Sequence, residues 1–237
     1  MRILTMLLML LLAAPALAQP QPTLTVIAHD SFNYTQSVLD AFTEETGIAV
    51  EVLRLGDAGL LVNQSILNRE NPLGDVIFGV DNTFLGRALN ADLFVPYESP
   101  LLEHVDERFV VDPEHRVTPI DYGDVCLNYD VAYFDEHDVP LPESLADLAD
   151  PTYDSLLTVE NPATSSPGLA FLLTTVAVFG EDGDYTYLDY WRDLVANDVY
   201  VSDDWTDAYY NQFSGSQGSL GIRPLVVSYA SSPPAEV

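Results

Sequence analysis

Strand-like and helix-like segments alternate along the first part of this chain, and this alternation limits the folds that it can adopt. A short apolar run at 24–28, an alternating apolar and polar run at 48–55 and a run at 75–80 typical of a buried strand predict three strands, and a segment with helical spacing of apolar residues follows each of them. Asp57 and Asp81 stand where the second and third helices begin, as N-cap residues do. A repeated strand–helix order predicts a parallel sheet covered by helices on both faces.

A second α/β unit is predicted from the later part of the chain. A long extended stretch at 117–129 is expected to pass from one unit to the other. After it, strand patterns alternate with helical patterns, at 156–160, 165–179, 188–196, 199–202, 205–213 and 225–229. The sequence therefore predicts a two-lobed α/β fold with an N-terminal lobe at 19–120 and a second lobe at 121–237.

The N-terminus has the three parts of a secretory signal peptide. Arg2 supplies the positive charge, residues 4–12 form the apolar segment, and the small residues Ala16 and Ala18 mark a cleavage site. The apolar segment is short for a membrane span, and no stop-transfer charges follow it. We therefore expect residues 1–18 to be removed on export to the periplasm, leaving a protein that does not insert into the membrane.

The charge balance is strongly acidic. The chain has 37 Asp and Glu residues against 8 basic residues, all of them Arg, and a formal net charge of -29. Nucleic acids and anionic membranes are disfavoured as partners because each is bound through a basic surface. Two interpretations remain open: a solvated acidic surface adapted to salt, and electrostatic attraction of a cationic ligand.

The sequence contains no recognisable catalytic or metal-binding motif. The single cysteine, Cys126, lies between Val125 and Leu127, which predicts a small core residue. The four histidines lack metal-ligand spacing, and CxxC, HExxH, Walker A and GxGxxG patterns do not occur. We therefore predict no catalytic residue, no metal site and no cofactor.

Polar and aromatic residues follow the predicted strands at the edge where ligands of open α/β sheets bind. These strand ends are His29-Asp30-Ser31, Gly56-Asp57, Asp81-Asn82, Ser165-Ser166 and Tyr229-Ala230-Ser231-Ser232, and Trp205 at a helix start can join them. The serines at 165–166 stand before Pro167 and Gly168, a pattern typical of a capped helix. Aromatic rings and carboxylates without a nearby basic residue suit a cationic ligand with polar edges.

Several segments, in the same order, resemble the periplasmic thiamine-binding proteins of ABC importers, a family with the type II periplasmic-binding-protein fold. The matching segments are 24–26 with 30–32, 75–77 with 79–82, 119–123, 165–169, and 227–229 with 231–233. The resemblance covers residues 24–233. It implies two lobes that close on thiamine or its phosphates, and a monomer that delivers this ligand to a membrane permease.

Carried over residue by residue, the resemblance also implies a ligand pocket. The implied pocket residues are Asp57 and Ala58 from the first lobe, and Ser165, Ser166, Trp205, Tyr229, Ala230, Ser231 and Ser232 from the second. Tyr34 only loosely replaces an aromatic residue of the family, because the loop after Phe32 is shorter here. The chain also ends earlier than members of the family do, so the C-terminal part of the second lobe is expected to be missing.

Two alternative functions remain open. Ferric-ion-binding proteins of the same fold family place adjacent tyrosines at the corresponding strand end, where this chain has Tyr229-Ala230. The pair Tyr209-Tyr210 lies within a helical pattern, where neighbouring side chains point to different sides. Thiamine-degrading enzymes use a cysteine nucleophile, for which Cys126 is the only candidate, and the sequence shows no base beside it.

Overall fold

The structure, a computed structural model, describes residues 21–236. The predicted signal peptide at 1–18 lies outside the described residues. No helix between residues 21 and 236 combines the length and the apolar character that crossing a membrane requires.

The first lobe contains a three-stranded parallel sheet. Its strands are β1 (Thr23–Ala28), β2 (Ala49–Arg54) and β3 (Val76–Phe78), in the order β2-β1-β3. The register pairs Thr23 with Ala49, and Val26 with Val76. The parallel sheet predicted from the strand–helix order is thus confirmed.

Three helices connect and follow these strands, and their ends agree with the capping residues in the sequence. The helices are α1 (Gln36–Thr46), α2 (Ala58–Leu67) and α3 (Asn82–Asn90). Asp81 accepts hydrogen bonds from the backbone N–H groups of Thr83 and Phe84, and Gly47 ends α1 in the left-handed conformation at φ 73°.

The strand predicted at 75–80 differs from the expectation of a buried strand. Only three residues, Val76–Phe78, pair with β1, and the strand forms an edge of the sheet. Val76 is 43% exposed. An apolar run alone does not distinguish a central strand from an edge strand, because both satisfy the same sequence pattern.

The predicted extended stretch at 117–129 is regular only in its last part. Residues 117–124 lack regular structure, and β4 (Val125–Tyr129) then enters the second sheet. The predicted lobe boundary after residue 120 therefore falls between α3 and β4; it stays a prediction. The helix α4 (Val131–His137), capped by Asp130, was not predicted, and a 3₁₀ turn at Ala146–Ala149 follows it.

The second lobe is built on a mixed four-stranded sheet. Its strand order is β4-β7-β5-β6, where the further strands are β5 (Leu157–Glu160), β6 (Tyr200–Ser202) and β7 (Leu225–Tyr229). β4 runs antiparallel to β7, whereas β5 runs parallel to both β6 and β7. The helices are α5 (Ser166–Phe179) and α6 (Tyr187–Ala196), and a π-helical segment covers Asp207–Gln212.

Alternate residues of the second sheet pack on opposite faces. Leu157 and Val159 of β5 join the large apolar core with Tyr190 of α6, and each such buried side chain contributes about 1.5–3 kcal/mol. Thr158 and Glu160 must therefore lie on the other face, although both are fully buried. A smaller cluster on that face contains Val226 and Tyr209.

The prediction that Cys126 is a core residue is wrong. Its strand neighbours Val125 and Leu127 pack against the large core, which turns Cys126 to the opposite face of β4. This strand is an edge of the sheet, and Cys126 is exposed. The apolar triplet at 125–127 does not reveal this exposure, because the side chain of the middle residue lies on the opposite face of the strand from its two neighbours.

Candidate functional site

Asp57 connects the two lobes at the end of β2. Its side chain accepts a hydrogen bond from the backbone N–H of Ala58 at 2.9 Å, which caps α2. The second carboxylate oxygen accepts one from the backbone N–H of Trp205 at 3.1 Å. A residue predicted for the site from the first lobe therefore contacts one predicted from the second.

The first turn of α2 makes a second contact across the lobes. The backbone N–H of Gly59 donates a 2.7 Å hydrogen bond to the carbonyl of Thr164, just ahead of α5. A Cβ atom at position 59 would lie 2.6 Å from the carbonyl oxygen of Ala163 and 2.7 Å from that of Thr164. This approach is therefore possible only because position 59 has no side chain.

Trp205 is fixed by contacts with its own lobe. The indole stacks on Tyr209 with a centroid distance of 5.0 Å and an interplanar angle of 15°. Its ring N–H donates to Oγ of Ser228 at 2.8 Å, and that hydroxyl lies 2.9 Å from the hydroxyl of Ser232. One face of the indole is occupied by Tyr209, and the hydrogen bond sets the orientation of the ring.

Tyr229, the last residue of β7, lies among acidic groups of both lobes. Burial raises the pKa of its phenol above the usual range, and the negative charges of Asp81, Asp57 and Glu160 raise it further, while a hydrogen bond with Ser166 acts in the opposite direction. Because two of these carboxylates belong to the first lobe, Tyr229 also faces the junction between the lobes. The phenol therefore remains neutral and available for stacking or hydrogen bonding.

The two serines ahead of α5 differ from the capping prediction. Ser165 occupies the N-cap position, but its side chain makes no capping hydrogen bond; it is fully buried, and its hydroxyl has no partner among the described residues. Ser166 is the first residue of the helix and is buried as well. Pro167 lies in the first turn, as predicted.

Glu160 is a site residue that the sequence analysis missed. It ends β5, is fully buried, and neither carboxylate oxygen has a hydrogen-bond partner among the described residues. Burial is the main cause that raises its pKa well above the ordinary value, and the negative charge of Asp57 adds to the effect. An acidic residue at the end of an otherwise apolar strand was the available signal.

The remaining predicted residues occupy other positions. Ala58 packs its side chain into the apolar cluster between α2 and α3. Tyr34 lies beside Phe32, with a centroid distance of 5.4 Å, and under the guanidinium of Arg54, which is 5.6 Å from its ring centre. No contact of the described structure joins Tyr34 to Asp57 or Trp205. Ala230 and Ser231 are exposed beyond β7.

His29 and the neighbouring Arg54 lie on the first-lobe side of the site. Burial lowers the pKa of His29, whereas the negative charges of Asp57, Asp121 and Asp30 act in the opposite direction, and Arg54 contributes a further lowering. Asp30 and Gly56 exchange two hydrogen bonds of 2.9 Å, which hold the ends of β1 and β2 together. The strand-end residues themselves include no Arg or Lys, and Arg54 is a neighbouring residue whose positive charge influences His29.

Cys126 lies on the face of the second sheet that carries Ser228, its partner in the pairing of β4 with β7. Cys126 is exposed, but partial desolvation of its thiol and the negative charge of Asp124 both raise its pKa. A raised pKa reduces the thiolate fraction that a nucleophile requires. Among residues 21–236, no three His, Cys, Asp or Glu side chains are grouped closely enough to hold a metal ion.

Comparison with known proteins identifies relatives of this chain. Residues 71–231 match the family described as bacterial extracellular solute-binding protein. The thiamine-binding periplasmic proteins of Salmonella typhimurium and Escherichia coli are 30% and 29% identical over 234 residues, which cover 95% of this chain. The chain spans 65% of the length of each of these two relatives.

Solved structures share the same architecture. A periplasmic thiamin binding protein superimposes with a TM-score of 0.68 and 29% identity, covering 90% of this chain and 63% of that one. Iron-bound HitA from Pseudomonas aeruginosa superimposes with a TM-score of 0.67 at 22% identity, covering 88% of this chain and 63% of that one, which indicates a shared fold only. The predicted two-lobed fold is thus confirmed.

Proposed function

Because the chain belongs to the bacterial extracellular solute-binding protein family, we propose that it binds thiamine or its phosphates in the periplasm. The bound ligand would be delivered to the membrane permease of an ABC importer. Similarity to two thiamine-binding periplasmic proteins over nearly the whole chain supports both the ligand and the location.

The observation that carries this proposal is the meeting of Asp57 and Trp205 across the lobes, at 3.1 Å. The contact joins the Asp57 carboxylate to the backbone N–H of Trp205, so the residue that carries the indole is brought beside the carboxylate only when the lobes are together. Thiamine has a cationic thiazolium ring, which an aromatic face and a nearby carboxylate both stabilise. The face of Trp205 opposite Tyr209 is the stacking surface that we assign to it.

The remaining predicted residues divide into two groups under this proposal. Ser165, Ser166, Tyr229 and Ser232 lie at the lobe junction or beside it, where hydroxyls and the N-terminal N–H groups of α5 suit the hydroxyethyl arm or its phosphate. The second group would contact the ligand only through backbone atoms or after a change in its surroundings; it consists of Tyr34, Ala58, Ala230 and Ser231.

An enzymatic function is less well supported. The relatives that match this chain are binding proteins. The exposed Cys126, the only cysteine in the sequence, has a raised pKa, to which the neighbouring negative charge of Asp124 contributes. We therefore propose that the protein binds its ligand without chemical conversion, as a monomer with lobes divided near residue 120.

Ferric-ion binding is the alternative that the fold keeps open, because iron-bound HitA shares the architecture. In this chain Tyr229 stands alone at its strand end, and its raised pKa opposes the phenolate form that would ligate iron. Tyr209 is buried against Trp205 and Phe213, and it has a pKa raised to about 12. These observations favour an organic cation over ferric ion.

Titration calorimetry tests the proposal directly. The purified protein would be titrated separately with thiamine, thiamine monophosphate, thiamine diphosphate and ferric citrate. We expect saturable heat with at least one thiamine compound at micromolar affinity or tighter, and none with ferric citrate. Heat with ferric citrate alone would reverse the assignment. Release of intact thiamine from the complex, checked by mass spectrometry, would establish binding without conversion.

A further inference from the structure

We propose that Glu160 contacts the bound ligand and sets specificity by pairing its carboxyl group with the amino-substituted edge of the ligand's aromatic ring. The inference deepens the proposed thiamine-binding function and rests on it. It starts from the only fully buried acidic side chain of the described residues whose two carboxylate oxygens both lack a partner.

The position of Glu160 places it at the ligand edge of the second sheet. It is the last residue of β5, and ligands of open α/β sheets bind beyond the carboxyl ends of the strands. The negative charge of Asp57, from the first lobe, influences Glu160, and Glu160 in turn influences Tyr229. Glu160 is therefore close to groups of both lobes.

The first turn of α5 lies directly against Glu160. A Cβ atom on Gly168 would lie 3.1 Å from Cβ of Glu160 and 2.3 Å from its carbonyl oxygen. Ser165, at the N-cap position of the same helix, is also fully buried and its hydroxyl has no partner among the described residues. Two unpartnered buried side chains thus accompany a helix N-terminus, where N–H groups without intrahelical partners are found.

Leaving such groups without hydrogen bonds is unfavourable, so a polar ligand group is expected to satisfy them. Burial raises the pKa of Glu160 and so favours the neutral form of its carboxyl group, which has one O–H donor and one carbonyl acceptor. A 4-aminopyrimidine presents the complementary pair: a ring nitrogen that accepts and an amino group that donates. A ring of this class is one half of thiamine.

Access to Glu160 requires the lobes to separate. The bonds Gly59–Thr164 and Trp205–Asp57 hold the lobes together in the described structure. A ligand would enter while these two bonds are broken, and closure would then shield its ring edge from water. The specificity of a site that pairs every polar group on closure exceeds that of an open site, because an unmatched ligand leaves a buried group unpaired.

The test compares thiamine with an analogue in which hydrogen replaces the 4-amino group of the pyrimidine, using calorimetry on three proteins. The unchanged protein should bind thiamine about tenfold to hundredfold more tightly than the analogue. Glu160→Met should bind the two with nearly equal affinity, whereas Glu160→Gln, which keeps a donor and an acceptor, should retain the preference. Tyr190→Phe removes a buried unpartnered hydroxyl in the large core and should leave both affinities unchanged.

The outcomes separate this inference from the function on which it rests. If the unchanged protein binds thiamine, and Glu160→Met retains the full preference for it, Glu160 is only structural and the inference is overturned. If the unchanged protein binds neither compound, the thiamine-binding function fails and the inference fails with it. Thermal unfolding would verify that each variant folds. If Glu160→Met does not fold, two other results would still overturn the inference. One is loss of the preference for thiamine over the analogue in Glu160→Gln, and the other is absence of that preference in the unchanged protein.

Discussion

The backbone N–H of Trp205 donates a hydrogen bond to the carboxylate of Asp57, 3.1 Å away on the opposite lobe. The same carboxylate caps α2 through its other oxygen. One side chain therefore fixes a helix start in the first lobe and receives the residue that we assign to ligand stacking in the second. Changes at either position are expected to affect ligand binding by different mechanisms.

Trp205→Ala is expected to weaken thiamine binding more than Asp57→Asn does. Loss of the indole removes stacking area and cation–π attraction, about 2 kcal/mol or a 30-fold change in affinity. Asparagine keeps one oxygen for the cap hydrogen bond but loses the negative charge and the second oxygen that accepts from the Trp205 N–H, together about 1 kcal/mol in a site that water and salt screen. Calorimetry on both variants would measure this, with Trp191→Phe as the control. The reverse order would show that charge dominates the site.

Gly59→Ala is expected to lower the stability of the closed arrangement. Its new methyl group would lie within 3 Å of two carbonyl oxygens of the other lobe, so the backbone must shift at a cost of about 1–3 kcal/mol. Gly86→Ala is the matched control, because no atom lies within 4 Å of its added Cβ in the exposed part of α3, and alanine favours a helix. Thermal unfolding should show a decrease for the first variant and an unchanged or higher midpoint for the second. Equal midpoints would contradict the close contact.

Glu160→Gln is expected to change the dependence of stability on pH. Burial raises the pKa of Glu160 in the folded protein above its value in the unfolded chain. Between these two values the folded state holds the proton that the unfolded state has released, so stability falls as pH rises. Glutamine does not titrate, and its advantage over glutamate should therefore grow as pH rises above the unfolded pKa. Urea unfolding of both proteins between about pH 4 and about pH 8 would measure the difference. A difference independent of pH would mean that Glu160 titrates normally.

Cys126→Ser is expected to leave thiamine affinity unchanged within about twofold, since the thiol is exposed on an edge strand and makes no strong hydrogen bond. In the native protein the thiol should react with an aromatic disulfide reagent without denaturant, and faster as pH rises, because its pKa is raised. Labelling that requires denaturant would contradict its exposure. Loss of binding in a folded serine variant would assign the thiol a role in the site.

Added sodium chloride is expected to raise the thermal unfolding midpoint. A net charge of -29 repels itself in the compact state, and the Debye length falls from about 10 Å at 0.1 M salt to about 3 Å at 1 M. A neutral osmolyte at the same osmolality is the control, because it does not screen charge. An equal increase with salt and with the osmolyte would show that charge repulsion is not the cause.

The sequence predicted where helices begin when a capping residue or a proline stands at the helix start. Asp57 and Asp81 indicated the starts of α2 and α3, and the residues before Pro167 indicated the start of α5. It did not predict which strands lie at sheet edges, because β3 and β4 have the same apolar patterns as central strands. The exposure of Cys126 follows from that limitation.

The sequence predicted some residues of the candidate site but not their arrangement. Asp57 and Trp205 were both identified, but their direct contact depends on the arrangement of two lobes, which no local pattern encodes. Glu160 was missed because a single acid at the end of an apolar strand is usually exposed. Only the packing of α5 against the end of β5 shows that it is buried, without a partner among the described residues.

The contact between Gly59 and Thr164 joins a backbone N–H to a backbone carbonyl. Substitution by any residue other than proline leaves both groups in place, so an alanine scan probes this contact only through the steric effect of the methyl group at position 59. At position 164 the contact uses only the main-chain carbonyl, whereas position 59 must keep a hydrogen in place of a side chain. Replacing the amide at position 59 by an ester, through chemical ligation, would remove the donor alone and reveal how much of the closing motion is governed by the main chain.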